Sequence, residues 1–297
     1  MAAIIRKELR GYFTSWIGYI FLFILVGLVG VFFALINLNY QTGDFQNTLA
    51  NLTIFLLILV PVLTMRLFAE EARQKTDQLL FTSPVSIVSI VFGKYLSAFI
   101  LACIGLALTL IFPLMIAPYG KLPGTEIFTV YLGYALMISC FIAVGMFISA
   151  CTENQIIAAV ISFFVMIFMY IMDGIARSIN DIVTASQSSA SAAMISMLFV
   201  AVIIALLAYI VFDSTKNYYA AGGVALILIA IASGVYIYDA SIFDGFIIRT
   251  TQWLSVMSRF TNFDNGILNV SDVVYYVSFT AAFVYLTINA IEKRRWK

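Results

Sequence analysis

The chain has 297 residues, of which 63% are hydrophobic and only 10% charged. A mean hydropathy of +1.04 excludes a soluble globular domain, where apolar residues approach half and charged ones a quarter, and identifies a polytopic membrane protein. A net charge of +1 supplies no basic stripe to neutralise phosphates, which argues against nucleic acid as a partner.

Residues 1–16 read as a leading amphipathic segment: Ile4, Ile5, Leu9, Tyr12 and Phe13 can face lipid while Arg6, Lys7 and Arg10 face water or anionic headgroups. Apolar runs follow near 17–36, 50–69, 95–117, 127–150, 156–172, 194–212, 218–238 and 273–291, each long enough to cross roughly 30 Å of hydrocarbon. In lipid every backbone amide must be satisfied within its own segment, so the expectation is an all-α fold of about eight transmembrane helices. The first run is too long for a signal core and lacks a small-x-small cleavage site, so it is expected to be retained.

Lysine and arginine set the orientation. With the N-terminus inside, the inner segments hold Arg6, Lys7, Arg10, Arg66, Arg73, Lys75, Lys94, Lys216, Lys293, Arg294, Arg295 and Lys297, leaving only Lys121, Arg177, Arg249 and Arg259 outside. That imbalance predicts that both termini and segment 66–94 are cytoplasmic, and the expected location is a plasma or inner membrane. The outer connections are expected at 37–51, at the Pro- and Gly-rich 118–126, and at the Ser/Ala-rich 173–193, with tight inner turns at 152–155 and 213–217.

Segment 66–94 is the sizeable polar insertion that carries both charge signs. On a helix, Glu71 meets Lys75 and Arg73 meets Asp77 one turn on, giving an exposed face of i,i+4 pairs, while Phe68, Ala72, Thr76 and Leu79 form the other face. Ser83 and Pro84 end that helix and can cap the next. The expected product is a short amphipathic helix on the cytoplasmic side between two spans. Segment 239–272 places Phe246, Trp253, Leu254, Met257 and Phe260 at helical spacing among polar residues, too short and mixed to span. It is expected to be an external helix at the interface, with its tryptophan at headgroup depth.

The stretch Glu70-Glu71-Ala-Arg73-Gln-Lys75-Thr76-Asp77-Gln-Leu79-Leu80-Phe-Thr82-Ser83-Pro84-Val-Ser86, directly after a second apolar run, resembles the coupling segment of ABC type-2 exporter permeases. The likeness is to the subgroup of gliding-motility and nitrous-oxide-reductase-maturation permeases. The opening Arg6-Lys7-Glu8-Leu-Arg10-Gly-Tyr-Phe and the stretch from Arg259 to Tyr276 are similar to the same family's start and to its external helices. The resemblance implies that Glu70, Glu71, Arg73, Lys75, Thr76, Asp77, Leu79, Leu80, Thr82, Ser83 and Pro84 couple to an ATPase, with Arg6, Lys7, Glu8 and Arg10 on the ATPase-facing side. It implies two ATPase subunits, a second permease of the same or a different sequence, and an accessory subunit with an extracytoplasmic domain. The family's usual six spans would map onto the first five runs and the last. The pair within 194–238 would then be an insertion, with a place for docking an accessory subunit.

No chemistry is carried by the chain itself. There is no histidine, and Cys103, Cys140 and Cys151 lie in or beside apolar runs without the partners a metal site or disulfide framework needs. No Gly-x-x-x-x-Gly-Lys-Ser/Thr sequence occurs, and Gly93-Lys94 and Gly120-Lys121 lack the following hydroxyl, so ATP and magnesium are expected on a separate subunit and no cofactor on this one. Glu70, Lys94, Asp173, Arg177 and Asp239 fall at run ends, which disfavours an ion-coupled carrier. A membrane subunit that relays ATP-driven motion to an external partner without transporting anything is the other reading. Gly27, Gly30, Gly145 and Ser149 are small enough to seat helix contacts, either within one subunit or at a dimer seam.

Overall fold

Among the described residues, six helices are long and apolar enough to cross a membrane: Trp16–Leu38, Phe45–Gln74, Ile87–Ile116, Gly124–Cys151, Gln155–Met172 and Val270–Arg294. The computed structural model describes residues 1–40, 43, 45–76, 85–118, 124–185 and 255–295, and among them every regular element is helical. The expected runs at 194–212 and 218–238, the inner turn at 213–217 and the 186–193 part of the expected outer loop lie outside the described residues. The chain divides into two compact units, Met1–Phe168 with Val256–Lys297, and Met169–Ser255.

In chain order the elements of the first unit begin with α1 (Ala2–Thr14) and α2 (Trp16–Phe32), the latter finishing in a π-helical turn, Phe33–Leu38. Then come α3 (Phe45–Thr64), α4 (Arg66–Gln74), α5 (Ile87–Thr109), α6 (Ile111–Ile116) and α7 (Gly124–Cys151). Helix α8 (Gln155–Ala185) carries the chain into the second unit, and α9 (Val256–Asp264) and α10 (Val270–Arg295) close the first. The interruption between α5 and α6 at Leu110 precedes Pro113, whose ring crowds the carbonyl four residues back and removes a ladder donor.

Three expectations from hydropathy change. The outer loop foreseen at 37–51 shrinks, because Asn37 and Thr48 lie inside helical segments, are buried, and bond to each other, Thr48 Oγ1 donating to Asn37 Oδ1 at 2.6 Å. Paired this way, two polar residues can lie in the bundle. The connection foreseen from residue 173 begins later, since α8 continues to Ala185. The leading segment does not leave its apolar side to lipid alone: Tyr12 is buried, and α1 packs on α2 and α5. By contrast the tight turn at 152–155 is found, with Asn154 Oδ1 accepting from the Ile156 and Ile157 amides to cap α8.

Helix α7 is the hub, packed on α3, α4, α5, α9 and α10. At its start Glu126 accepts from Gln46 at the start of α3 and lies against Gly266, beside α9. Near its other end Ser149 touches α4. The bundle therefore has two distinct ends, one carrying α9 and the other α1 and α4.

Candidate functional site at the α1–α4 end

Helix α4 continues the second span through a single interruption at Met65, and Ser149 binds the backbone there. Its hydroxyl donates to the Met65 carbonyl at 2.9 Å and accepts from the Phe68 and Ala69 amides, each at 3.1 Å. Met65 caps α4 and Phe68 lies in its first turn, so the hydroxyl adds partners to backbone groups at the start of α4, just where α3 and α4 are offset. Gly145, one turn back on α7, faces Thr64 so closely that a Cβ there would collide with its hydroxyl. Gly145 and Ser149 thus seat α7 against α3 and α4 inside one subunit, while Gly27 has nothing within 4 Å.

Beyond the break, α4 buries Leu67, Phe68, Ala69 and Ala72 and exposes Arg73 and Gln74. It ends on Lys75 in the left-handed conformation (φ 55°), with Lys75 N donating to Ala72 O and Thr76 N to Glu71 O. This is the paired closure usually built on glycine. Lys75 therefore lies past the helix end, and Glu71 turns away from it. The i,i+4 pair that α4 does make is Arg66 Nε to Glu70 Oε2 at 3.0 Å.

Glu71 faces Lys94, and there the sequence reading is corrected. Lys94 lies not at a run end but within α5, its side chain only 2% exposed. Its ammonium donates to Leu67 O at 2.7 Å, and it pairs with Glu8 Oε1 of α1 and Glu71 Oε1 of α4, both at 3.0 Å. Those three contacts match the three protons of an ammonium, and the Phe68 ring lies 5.1 Å away. Lys7 adds a second, 65% exposed contact to Glu71 at 3.4 Å. An exposed pair of that kind contributes roughly 0–1 kcal/mol, whereas stripping a partner from a buried one costs about 3–5 kcal/mol. Lys94 is thus the contact that decides how α1, α4 and α5 sit together.

Local sequence brings α1 into reach. Gly93 leaves no room for a side chain, since a Cβ there would come within 2.9 Å of Ile4 Cγ2, and α1 lies tight on α5. The bend from α1 into α2 falls at Ser15, in extended conformation, beside Gly18, where a Cβ would meet Tyr12 O at 2.5 Å. Ser15 Oγ accepts from Arg66 Nη1 at 3.1 Å, and the Tyr12 hydroxyl donates to Leu63 O at 3.3 Å. Burial, and then the nearby Glu8 carboxylate, push the Tyr12 phenol well above its ordinary pKa, so it remains a donor. Between α1 and α4 a cavity of about 530 Å³ opens, lined by Lys7, Glu8, Tyr12, Arg66, Glu71 and Lys94 among others.

Of the residues singled out in the sequence, Lys7, Glu8, Glu70, Glu71 and Thr76 meet around this cavity. Arg6 and Arg10 lie exposed on α1, and Arg73 and Lys75 lie exposed on and just after α4. Asp77, Leu79, Leu80, Thr82, Ser83 and Pro84 lie outside the described residues. The following helix is capped by Ser86, whose hydroxyl accepts from Ser89 N at 3.3 Å. Lys94, Tyr12, Ser149 and Arg66 were missed as site residues. One signal for Lys94 was present: no carboxylate lies one turn away on its own helix, so a lysine inside a span had to find one elsewhere.

At the opposite end Phe246 and Trp253 lie outside the described residues. Met257 is half-buried. Phe260, expected at the interface, is buried instead against Tyr134 of α7, ring centroids 5.9 Å apart. Gly133 makes this possible, because a Cβ there would lie 2.5 Å from the Phe263 Cβ. Asp272, fully buried, holds Arg259 at 3.0 Å and Asn262 at 2.7 Å, tying α9 to α10.

Taken together, these features define a multi-pass membrane protein, helical in all regular elements of its described residues, with a charged, helix-built platform at one end. The chain belongs to the ABC-2 family transporter proteins, whose family model matches residues 32–185. No curated relative and no solved structure matches the chain. Family membership makes it a membrane subunit of an ABC transporter, a class that works with an ABC ATPase.

Proposed function

We propose that this chain is the permease subunit of an ATP-driven ABC exporter and that the α1–α4 platform is where the partner ATPase docks and delivers its stroke. The observation that carries the proposal is mechanical. Helix α4 is a direct extension of a membrane span, interrupted once at Met65 where Ser149 binds, and tied by Lys94 and Arg66 to α5 and the α1–α2 bend, so a push on it reaches three spans. The concentration of Arg6, Lys7, Arg10, Arg66, Arg73, Lys75, Lys293 and Arg294 at this end supports a cytoplasmic placement of the platform and both termini, in a plasma or inner membrane.

ATP and magnesium would be handled by two ATPase subunits, with this chain neither an enzyme nor a cofactor carrier. A second permease, identical or not, would complete the pathway. With the runs at 194–212 and 218–238 the spans would number about eight, by the length needed to cross roughly 30 Å of hydrocarbon. That extra pair, together with the external segment, would offer a surface to an accessory subunit, as in the gliding-motility and nitrous-oxide-reductase-maturation subgroup.

The test is ATPase activity of the complex reconstituted in nanodiscs from its own membrane. Charge reversal at Arg73 (Arg73→Glu), which leaves the buried pairs intact, is expected to lower permease-dependent ATP hydrolysis or weaken ATPase retention. Unchanged hydrolysis and retention would refute the docking site.

A further inference from the structure

We propose that Lys94 is a positioning residue that clamps α1 to α4 and α5, so that the leading helix moves with the coupling helix during the ATPase stroke instead of resting passively on the membrane. The proposal deepens the docking reading above and rests on it. Lys94 is contributed by one helix and neutralised by two others: Glu8 from α1 and Glu71 from α4 each lie 3.0 Å from the same ammonium, and the third proton is taken by the Leu67 carbonyl of α4. The lysine side chain is 2% exposed, and the two carboxylates are 17% and 16% exposed. If α4 moved without α1, Lys94 would lose a carboxylate in a poorly solvated site, and Glu8 and Glu71 would be left with an incomplete complement of cations. Moving all three together avoids both outcomes.

The remaining links between α1 and α4 are weaker but point the same way. They are Tyr12 to Leu63, Arg66 to Ser15, and the exposed Lys7 to Glu71. Gly93 removes the side chain that would hold α1 off α5, which lets Glu8 reach the lysine next along the chain.

The experiment measures spin-label distances in the permease–ATPase complex in nanodiscs, with Cys103, Cys140 and Cys151 replaced by alanine. One label replaces exposed Arg10 on α1 or exposed Gln74 on α4, and a reference label replaces exposed Asn265 at the opposite end. Between the nucleotide-free and ATP-trapped states, both distances are expected to change together in the parent chain. In Lys94→Met the Gln74 change is expected to persist while the Arg10 change is lost, and Lys94→Arg is expected to restore it. Should Lys94→Met fail to fold, the neutral set Glu8→Gln, Glu71→Gln and Lys94→Met, which leaves no uncompensated charge, replaces it with the same expected loss. A Gln74 change without an Arg10 change in the parent, or an Arg10 change that survives removal of Lys94, overturns the clamp and leaves docking standing. No Gln74 change in the parent refutes the coupling reading itself.

Discussion

A single hydroxyl, that of Ser149, binds Met65 O and the Phe68 and Ala69 amides where α4 starts. Ser149→Ala removes one donor and one acceptor that together serve three backbone groups. The expected loss is roughly 1–3 kcal/mol, measured as a lower thermal midpoint in detergent, because the buried carbonyl and amides lose their partner. The same residue shows what spacing alone could offer. A small residue one turn from Gly145 reads equally as a dimer seam or an internal contact, and the choice depends on Thr64 and Met65, residues more than eighty positions away. Lys94 was hidden for a related reason. Hydropathy averages over a window, and one lysine beside a long apolar run reads as the run's margin, whereas its actual environment is set by Glu8 and Glu71 on other helices.

At the level of elements, α9 and α10 form a second tied unit at the opposite end, and it carries a titratable flaw. Burial raises the Asp264 carboxyl above its ordinary pKa, and its Oδ1 has no hydrogen-bond partner among the described residues. A carboxyl raised in the folded state stabilises the fold below its unfolded pKa, and that stabilisation is lost as pH rises through the raised value. Amide exchange across α9 is therefore expected to quicken, beyond the intrinsic rate, as pH rises above the ordinary carboxylate range, and Asp264→Asn is expected to flatten that dependence. Equal pH dependence in both chains would contradict the assignment. Helical spacing made α9 legible as a short helix after the apolar runs, but not which side of it is buried. Phe260 reads as an interfacial aromatic until Tyr134 is seen to pack against it, beside the slot that Gly133 opens on α7 for Phe263. Helix α4 was legible for a complementary reason: charged and apolar residues alternate there with a helical period. Its end was misjudged, since α4 stops at Gln74 and not at Ser83–Pro84, and so was the direction of Glu71, since a partner on its own helix is the nearest choice a sequence can offer and the structure prefers a buried lysine on another.

For the whole molecule, membrane character and six of the expected spans follow from uninterrupted apolar length, because lipid leaves a backbone of that length no alternative to helix. The joining of the two ends into distinct working surfaces does not follow from length. It depends on long-range pairs such as Lys94 with Glu8 and Gln46 with Glu126. The central claim is that the α1–α4 end receives the ATPase, and a photo-crosslinker placed in turn at Gln74 and at Asn265 in the native-membrane complex tests it most directly. The account predicts that the probe at Gln74 captures the ATPase subunit and the probe at Asn265 does not; capture from Asn265 with none from Gln74 would contradict it.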